Sequence, residues 1–166
     1  PHEEFRELGY EVAHHGLSQW NGVAVASRVG LEDVRLGFDG MPGFHKDPEQ
    51  SQDPEARAIS AVCDGVRVYS LYVPNGRELS DPHYTYKLEW LARLRDHAAA
   101  ELVADPDAQV ALVGDWNVAP LDEDVWDMEV FEGKTHVSGP ERLAFAAFDG
   151  AGFREVTREY TPGPGV

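Results

Sequence analysis

The sequence predicts an α/β fold, and three observations carry that expectation. Two β-rich runs, residues 57–63 and 66–73, flank Asp64-Gly65, a dipeptide suited to a type I′ hairpin because both turn positions need φ > 0. A helical stretch then opens at Asp81-Pro82, an N-cap followed by a first-turn proline, and runs to about residue 104 before Asp105-Pro106. The apolar run "QVALV" at residues 109–113 follows at once, and a helical crossover of this kind joins parallel strands. Parallel strands end on the same side of a sheet, so Tyr72 and Asp115 are expected on one rim, where α/β proteins place their sites.

The other elements follow in chain order. Residues 3–8 read as the end of a helix stopped by Gly9, and residues 10–14 alternate as a strand. A polar turn at residues 16–21 leads into "GVAVASR", a buried strand over residues 22–28. Residues 37–56 are loop, with Gly37, Gly40, Pro42 and Gly43 close together and little periodicity. The second hairpin strand is closed by Pro74, and Asn75-Gly76 turns the chain. On the long helix, Tyr84, Leu88, Leu91, Ala98 and Leu102 are expected on one face. Ser138-Gly139-Pro140-Glu141 has the form of a capping box for a helix over residues 142–149, ending near Gly150. Residues 154–157 read as a further strand.

At 166 residues the chain is long enough for one domain with a real core, and 42% hydrophobic with 27% charged residues is an ordinary globular composition. No apolar run approaches the roughly 20 residues that cross a membrane, and no signal peptide is visible. A single Cys63 excludes an internal disulfide framework and fits a reduced compartment such as the cytoplasm. The net charge of −16 argues against non-specific nucleic-acid binding, although a short basic rim can coexist with an acidic back. The chain opens at Pro1 without Met and closes on the turn-rich "PGPGV", which reads as the middle of a longer chain: residues 1–166 as a single, incomplete domain.

The stretch "ALVGDWNVAP", residues 111–120, carries the chemistry. An Asp just past a buried strand has a rigid base and an exposed tip, and Asn117 falls on the same side if the backbone stays extended. Together Asp115 and Asn117 offer an anionic oxygen, a neutral acceptor and two N–H donors, a set suited to a hard cation and a phosphate. A plain Asx turn is the structural alternative. Tyr72 can hold a phosphate oxygen or be an ordinary strand tyrosine; Asn75 and Gly76 can present donors or form a simple turn; Lys87 can face the rim or lie on a solvated helix face. His14, His15 and His136 lack the spacing of a zinc site, and a metal role for them is rejected. The run "LDED", residues 121–124, is expected as solvated loop, Glu55 and Arg57 as an ion pair at the strand edge or as groups that help set the rim, and Trp116 and Trp126 as core or base-contacting aromatics. There is no nucleophile elbow, P-loop or dinucleotide fingerprint.

"WNGVAVASR", "EARAISA", "YSLYVPNG", "YKLEWL" and "LVGDWNVAP" occur in this order between about Phe5 and Thr161, and the series resembles the exonuclease III family of exodeoxyribonucleases and apurinic/apyrimidinic endonucleases. The resemblance implies a four-layer α/β/β/α sandwich of the DNase I type, here without its N- and C-terminal parts. It implies a monomeric phosphodiesterase dependent on Mg²⁺, with Mn²⁺ as a substitute, acting on double-stranded DNA at abasic sites or 3′ ends. In that family's pattern Asp115 orients or deprotonates the attacking water and Asn117 positions it, both beside the metal; Tyr72 contacts the scissile phosphate. Asn75 and Gly76 line the DNA path and Lys87 contacts the backbone. The main metal-binding Glu is expected upstream of Pro1 and a Ser-Asp-His motif after Val166, so the segment alone is expected to be inactive. Two other readings stay open: a superfamily phosphodiesterase on a nucleotide, lipid or inositol phosphate, which the acidic charge favours, and a non-catalytic member.

Overall fold

The computed structural model describes residues 2–18 and 21–160. Residues 19 and 20 of the expected 16–21 turn, Trp20 of the first motif, Thr161 and residues 162–166 lie outside the described residues. The elements are α1 (His2–Glu7), β1 (Glu11–Ser18), β2 (Asn21–Ser27), β3 (Glu32–Leu36), β4 (Ala58–Cys63), β5 (Val66–Tyr72), α2 (Pro82–Ala104), β6 (Gln109–Asp115), a 3₁₀ turn (Asp122–Asp124), α3 (Met128–Phe131), α4 (Gly139–Gly150) and α5 (Thr157–Tyr160).

Strands β3-β4-β5-β6 form one sheet and β1-β2 a second. The β4–β5 hairpin turns at Asp64 (φ 49°) and Gly65 (φ 82°), both in the left-handed region that a type I′ turn requires. β5 and β6 pair in parallel across the α2 crossover, as the sequence pattern demands. Gly114, at φ 132°, lies so close to β5 that any side chain there would overlap the Leu71 backbone.

The four-stranded sheet buries both faces. On one side Ala58, Tyr69, Leu71 and Val73 pack against Tyr86, Trp90, Leu91 and Leu94 of α2 and Phe148 of α4. On the other, Ile59 packs with Val23 and Val25 of β2, and Cys63 and Tyr72 lean on the same cluster. Helices therefore cover one face and the β1-β2 sheet covers the other, while α1 contacts β1.

Several expectations are corrected. β1 continues to Ser18, through the first part of the expected turn. The buried face of α2 is His83, Tyr86, Lys87, Trp90, Leu91, Leu94 and Ala98; Tyr84, Leu88 and Leu102 sit at its margin. β3 has no apolar alternation and is exposed throughout. It exists because it pairs with β4 and because Asp33 takes ion pairs from Arg35 and Arg67, the charged dress of an edge strand. Residues 154–157 form no strand. The chain there turns into α5, and Arg158 anchors it by donating to both Asp124 oxygens at 2.8 and 3.0 Å. The acidic run is accordingly not a free loop: Asp122 also pairs with Arg142 at 2.7 Å.

Candidate active site

Tyr72 and Asp115 are register partners at the C-terminal ends of parallel β5 and β6. Partners in a parallel pair share a face, here the one turned toward β1-β2. Beyond Asp115 the chain does not stay extended. Asn117 enters the left-handed region (φ 50°), and its N–H donates to Asp115 Oδ1 at 2.9 Å, an Asx turn. The turn and the site are the same object: it swings the carboxamide back so that Nδ2 donates to Asp115 Oδ2 at 3.2 Å and to the Val73 carbonyl at 2.9 Å. Asn117 is thereby locked between the two strand ends. Its Oδ1 faces His136 Nε2 at 3.1 Å and Asn75 Nδ2 at 3.5 Å, and Asn75 Nδ2 lies 3.1 Å from the same ring nitrogen. Asp115, Asn117 and His136 line a cleft of about 510 Å³ walled by Trp116, Phe131 and Phe145.

Tyr72 has its own support. The Arg57 guanidinium sits 5.0 Å from its ring centroid and donates to its carbonyl at 3.4 Å. Arg57 Nε is held at 2.7 Å by Glu55, which also accepts from Asn21 and Tyr86, so the expected Glu55–Arg57 pair is present and fixes the phenol from below. Burial pushes the Glu55 carboxyl up, but the Arg57 hydrogen bond and charge outweigh it and hold the group below its ordinary value.

No family model matches the chain. An exodeoxyribonuclease of Bacillus subtilis (strain 168) is 30% identical over 138 residues, 78% of this chain and 53% of that protein. The structure of a 3′ phosphatase from Neisseria, bound to a product DNA hairpin, matches with TM-score 0.85 and 31% identity over 99% of this chain and 60% of that one. An AP endonuclease from Archaeoglobus fulgidus matches with TM-score 0.83 and 31% identity over 98% of this chain and 59% of that one. The chain belongs to the exonuclease III/AP endonuclease family. Its architecture is the family's DNase I-like α/β sandwich, and it spans about half the length of the curated relatives it matches.

Within this exonuclease III-family chain the structure revises two candidates, separates the two tryptophans and adds one residue. Lys87 touches no solvent: it faces inward, paired with Glu141, and cannot lie against a DNA backbone. Gly76 is buried at φ 91°, and its N–H donates to His83 Nδ1 at 3.1 Å, so it has no free donor to present. Trp126 is 77% exposed, whereas Trp116 packs edge-on against Phe145 and Phe148. His136, set aside as a metal ligand, belongs to the rim. Burial, then the nearby Lys87 charge, lowers its pKa and keeps the imidazole neutral. No local pattern announces it; the only legible hint is its place just before the Ser138 capping box.

Of the rim groups, the Asp115 carboxylate is the one that would hold a magnesium ion, a hard cation that takes oxygen ligands. Among the described residues no three His, Cys, Asp or Glu side chains cluster into a fuller cage.

Proposed function

We propose that the whole protein, to which this chain contributes Tyr72, Asp115 and Asn117, hydrolyses phosphodiester bonds of double-stranded DNA, at abasic sites or 3′ ends, in a Mg²⁺-dependent reaction centred on Asp115. The observation that carries this is the register pairing of Tyr72 with Asp115, with Asn117 bonded to both strand ends. The Asp115 carboxylate accepts a proton from water or aligns it; its two oxygens are held in place by Asn117, which limits the carboxylate to one orientation. In this reading the Tyr72 phenol donates to a non-bridging phosphate oxygen; its ring lies under the Arg57 guanidinium at the end of β5. Asn117 does not float between roles: both its N–H donors are spent on Val73 and Asp115, so its task is to hold the carboxylate. When bound, the metal neutralises charge on the phosphate and the departing oxygen.

A basic edge supports a DNA substrate despite the net charge of −16. Arg77 and Lys134, with Glu78 between them, line a groove that runs up to Thr135 and His136 beside the rim, and Arg77 also pairs with Asp81 at 3.7 Å. The overall acidity still favours a small phosphate ester as the second reading, and one assay separates the two. The whole protein, not residues 1–166 alone, is incubated with Mg²⁺ and either an abasic duplex, a 3′-phosphate duplex or a panel of nucleotide and inositol phosphates, with chelator controls. Cleavage of a duplex, abolished by chelator, is expected. Turnover of the small esters alone moves the protein to the second reading, and no turnover of any substrate rejects both.

A further inference from the structure

We propose that Lys87 and Glu141 are positioning residues for this site: their buried pair sets the turns that carry Asn75 and Asn117 and the segment that carries His136. The activity part of this inference rests on the nuclease reading above. Both side chains are 0% exposed, and neither lines the cleft. Lys87 Nζ donates to Glu141 Oε1, to the Asn117 carbonyl at 2.5 Å and to the Asn75 carbonyl at 3.2 Å, which uses all three ammonium donors. Glu141 Oε1 accepts the His136 N–H at 2.9 Å, and Oε2 accepts from Ser138 Oγ at 2.6 Å and Ser138 N at 3.2 Å. One ion pair therefore ties the loop after β5, the loop after β6 and the residues ahead of α4 to a single point.

Those three segments need such a tie. Asn117 (φ 50°) and His136 (φ 78°) are non-glycine residues in the left-handed region, which persists only where the surroundings over-determine it. The Asn75-Gly76 turn is moulded on the lysine stem: a Cβ on Gly76 would stand 3.1 Å from Lys87 Cδ. A fully buried ion pair is seldom more stabilising than apolar side chains of the same volume, so stability alone gives no reason for it here. What it provides that apolar groups cannot is directional hold on two carbonyls and one N–H, and through them on the meeting point of Asn75 Nδ2, Asn117 Oδ1 and His136 Nε2.

The test compares the whole protein with its double variant Lys87→Met/Glu141→Leu, which replaces the pair by apolar groups, and with Glu141→Gln. Thermal melts, kcat and KM on the best duplex substrate with Mg²⁺, and the ¹H–¹⁵N side-chain amide signals of Asn75 and Asn117 are recorded. The double variant is expected to melt below the parent, because two carbonyls and one N–H lose their partners, to lose about a hundredfold in kcat with KM little changed, and to move both amide signals. A parent-like kcat in a folded variant overturns the proposal whatever the amides do. If the double variant does not fold, Glu141→Gln is read by the same criteria. If the parent cuts no DNA, the nuclease reading fails, and the amides decide alone: unmoved signals overturn the positioning role and moved signals support it.

Discussion

Asp115 is the residue whose chemistry is hardest to replace. Asparagine there keeps the size and much of the hydrogen bonding to Asn117 but removes the charge and the proton acceptor. Asp115→Asn is expected to lower kcat on a duplex substrate by roughly 10²–10⁴-fold, the usual contribution of a positioned base, while the melting temperature barely changes. Single-turnover cleavage with Mg²⁺ measures it, and a variant within a few-fold of the parent would remove Asp115 from the chemistry. At this scale the places of Tyr72 and Asp115 were legible because each ends a strand, and strand ends are visible in a sequence as apolar runs halted by Gly or Pro; the Asx turn that folds Asn117 back was only the alternative reading. The role of Lys87 was not legible. Lysine on a helix reads as solvated, and only the approach of Glu141 from α4 makes its burial tolerable.

Single elements show the same division. The capping box reads directly from Ser138 and Glu141, and it forms: Ser138 Oγ accepts from Glu141 N while also meeting the Tyr84 hydroxyl at 2.7 Å. Ser138→Ala should therefore cost about 1–2 kcal/mol of stability in a urea titration, a cap together with one side-chain hydrogen bond. A change near zero would mean that α4 is held by packing alone. Trp90 on α2 is wholly buried, edge-on to Phe38 at 5.1 Å between centroids. Trp90→Ala is expected to cost about 3–5 kcal/mol, read from the same titration, because the cavity is enclosed by the sheet on one side and the residue 37–44 loop on the other. β3 was invisible for the converse reason. It contributes almost nothing to either core, so it has no apolar period; its strand character is borrowed from β4. Residues 154–157 carried a β-like composition but pair with no strand among the described residues, and the Arg158–Asp124 pair holds their path instead.

For the molecule as a whole, acid stability follows from its histidines. His83 is buried, and its Nδ1 accepts the Gly76 N–H, so the fold needs the neutral ring. Burial, with help from the Arg77 and Arg57 charges, lowers its pKa to about 4, and His136 is shifted the same way. An unfolded histidine titrates near 6.5, so between about 6.5 and 4 the unfolded chain binds more protons than the folded one. The stability these rings contribute is complete above pH 6.5 and is lost as pH falls toward 4. The carboxylates of Glu55, Asp124 and Glu141 are held low and weaken the fold only at lower pH still. Urea midpoints should fall steadily from pH 7 to pH 4.5, and a flat profile would show that His83 is protonated in the fold. His83→Gln, able to accept at the same place, should flatten the upper part of that curve.

The sequence by itself determined the α/β class, the Asp64-Gly65 hairpin, the parallel β5–β6 pair with Tyr72 and Asp115 at its common end, and the α4 cap. These depend on local period, turn chemistry and the handedness of a crossover, all of which are properties of short stretches of chain. Only the tertiary structure decided that Lys87 is an internal tie, that Gly76 offers no donor and that His136 joins Asn75 and Asn117. Each of those outcomes requires groups far apart in sequence to meet, and the energy of a buried charge or a left-handed turn depends on the partner that arrives, which the chain's local pattern does not record.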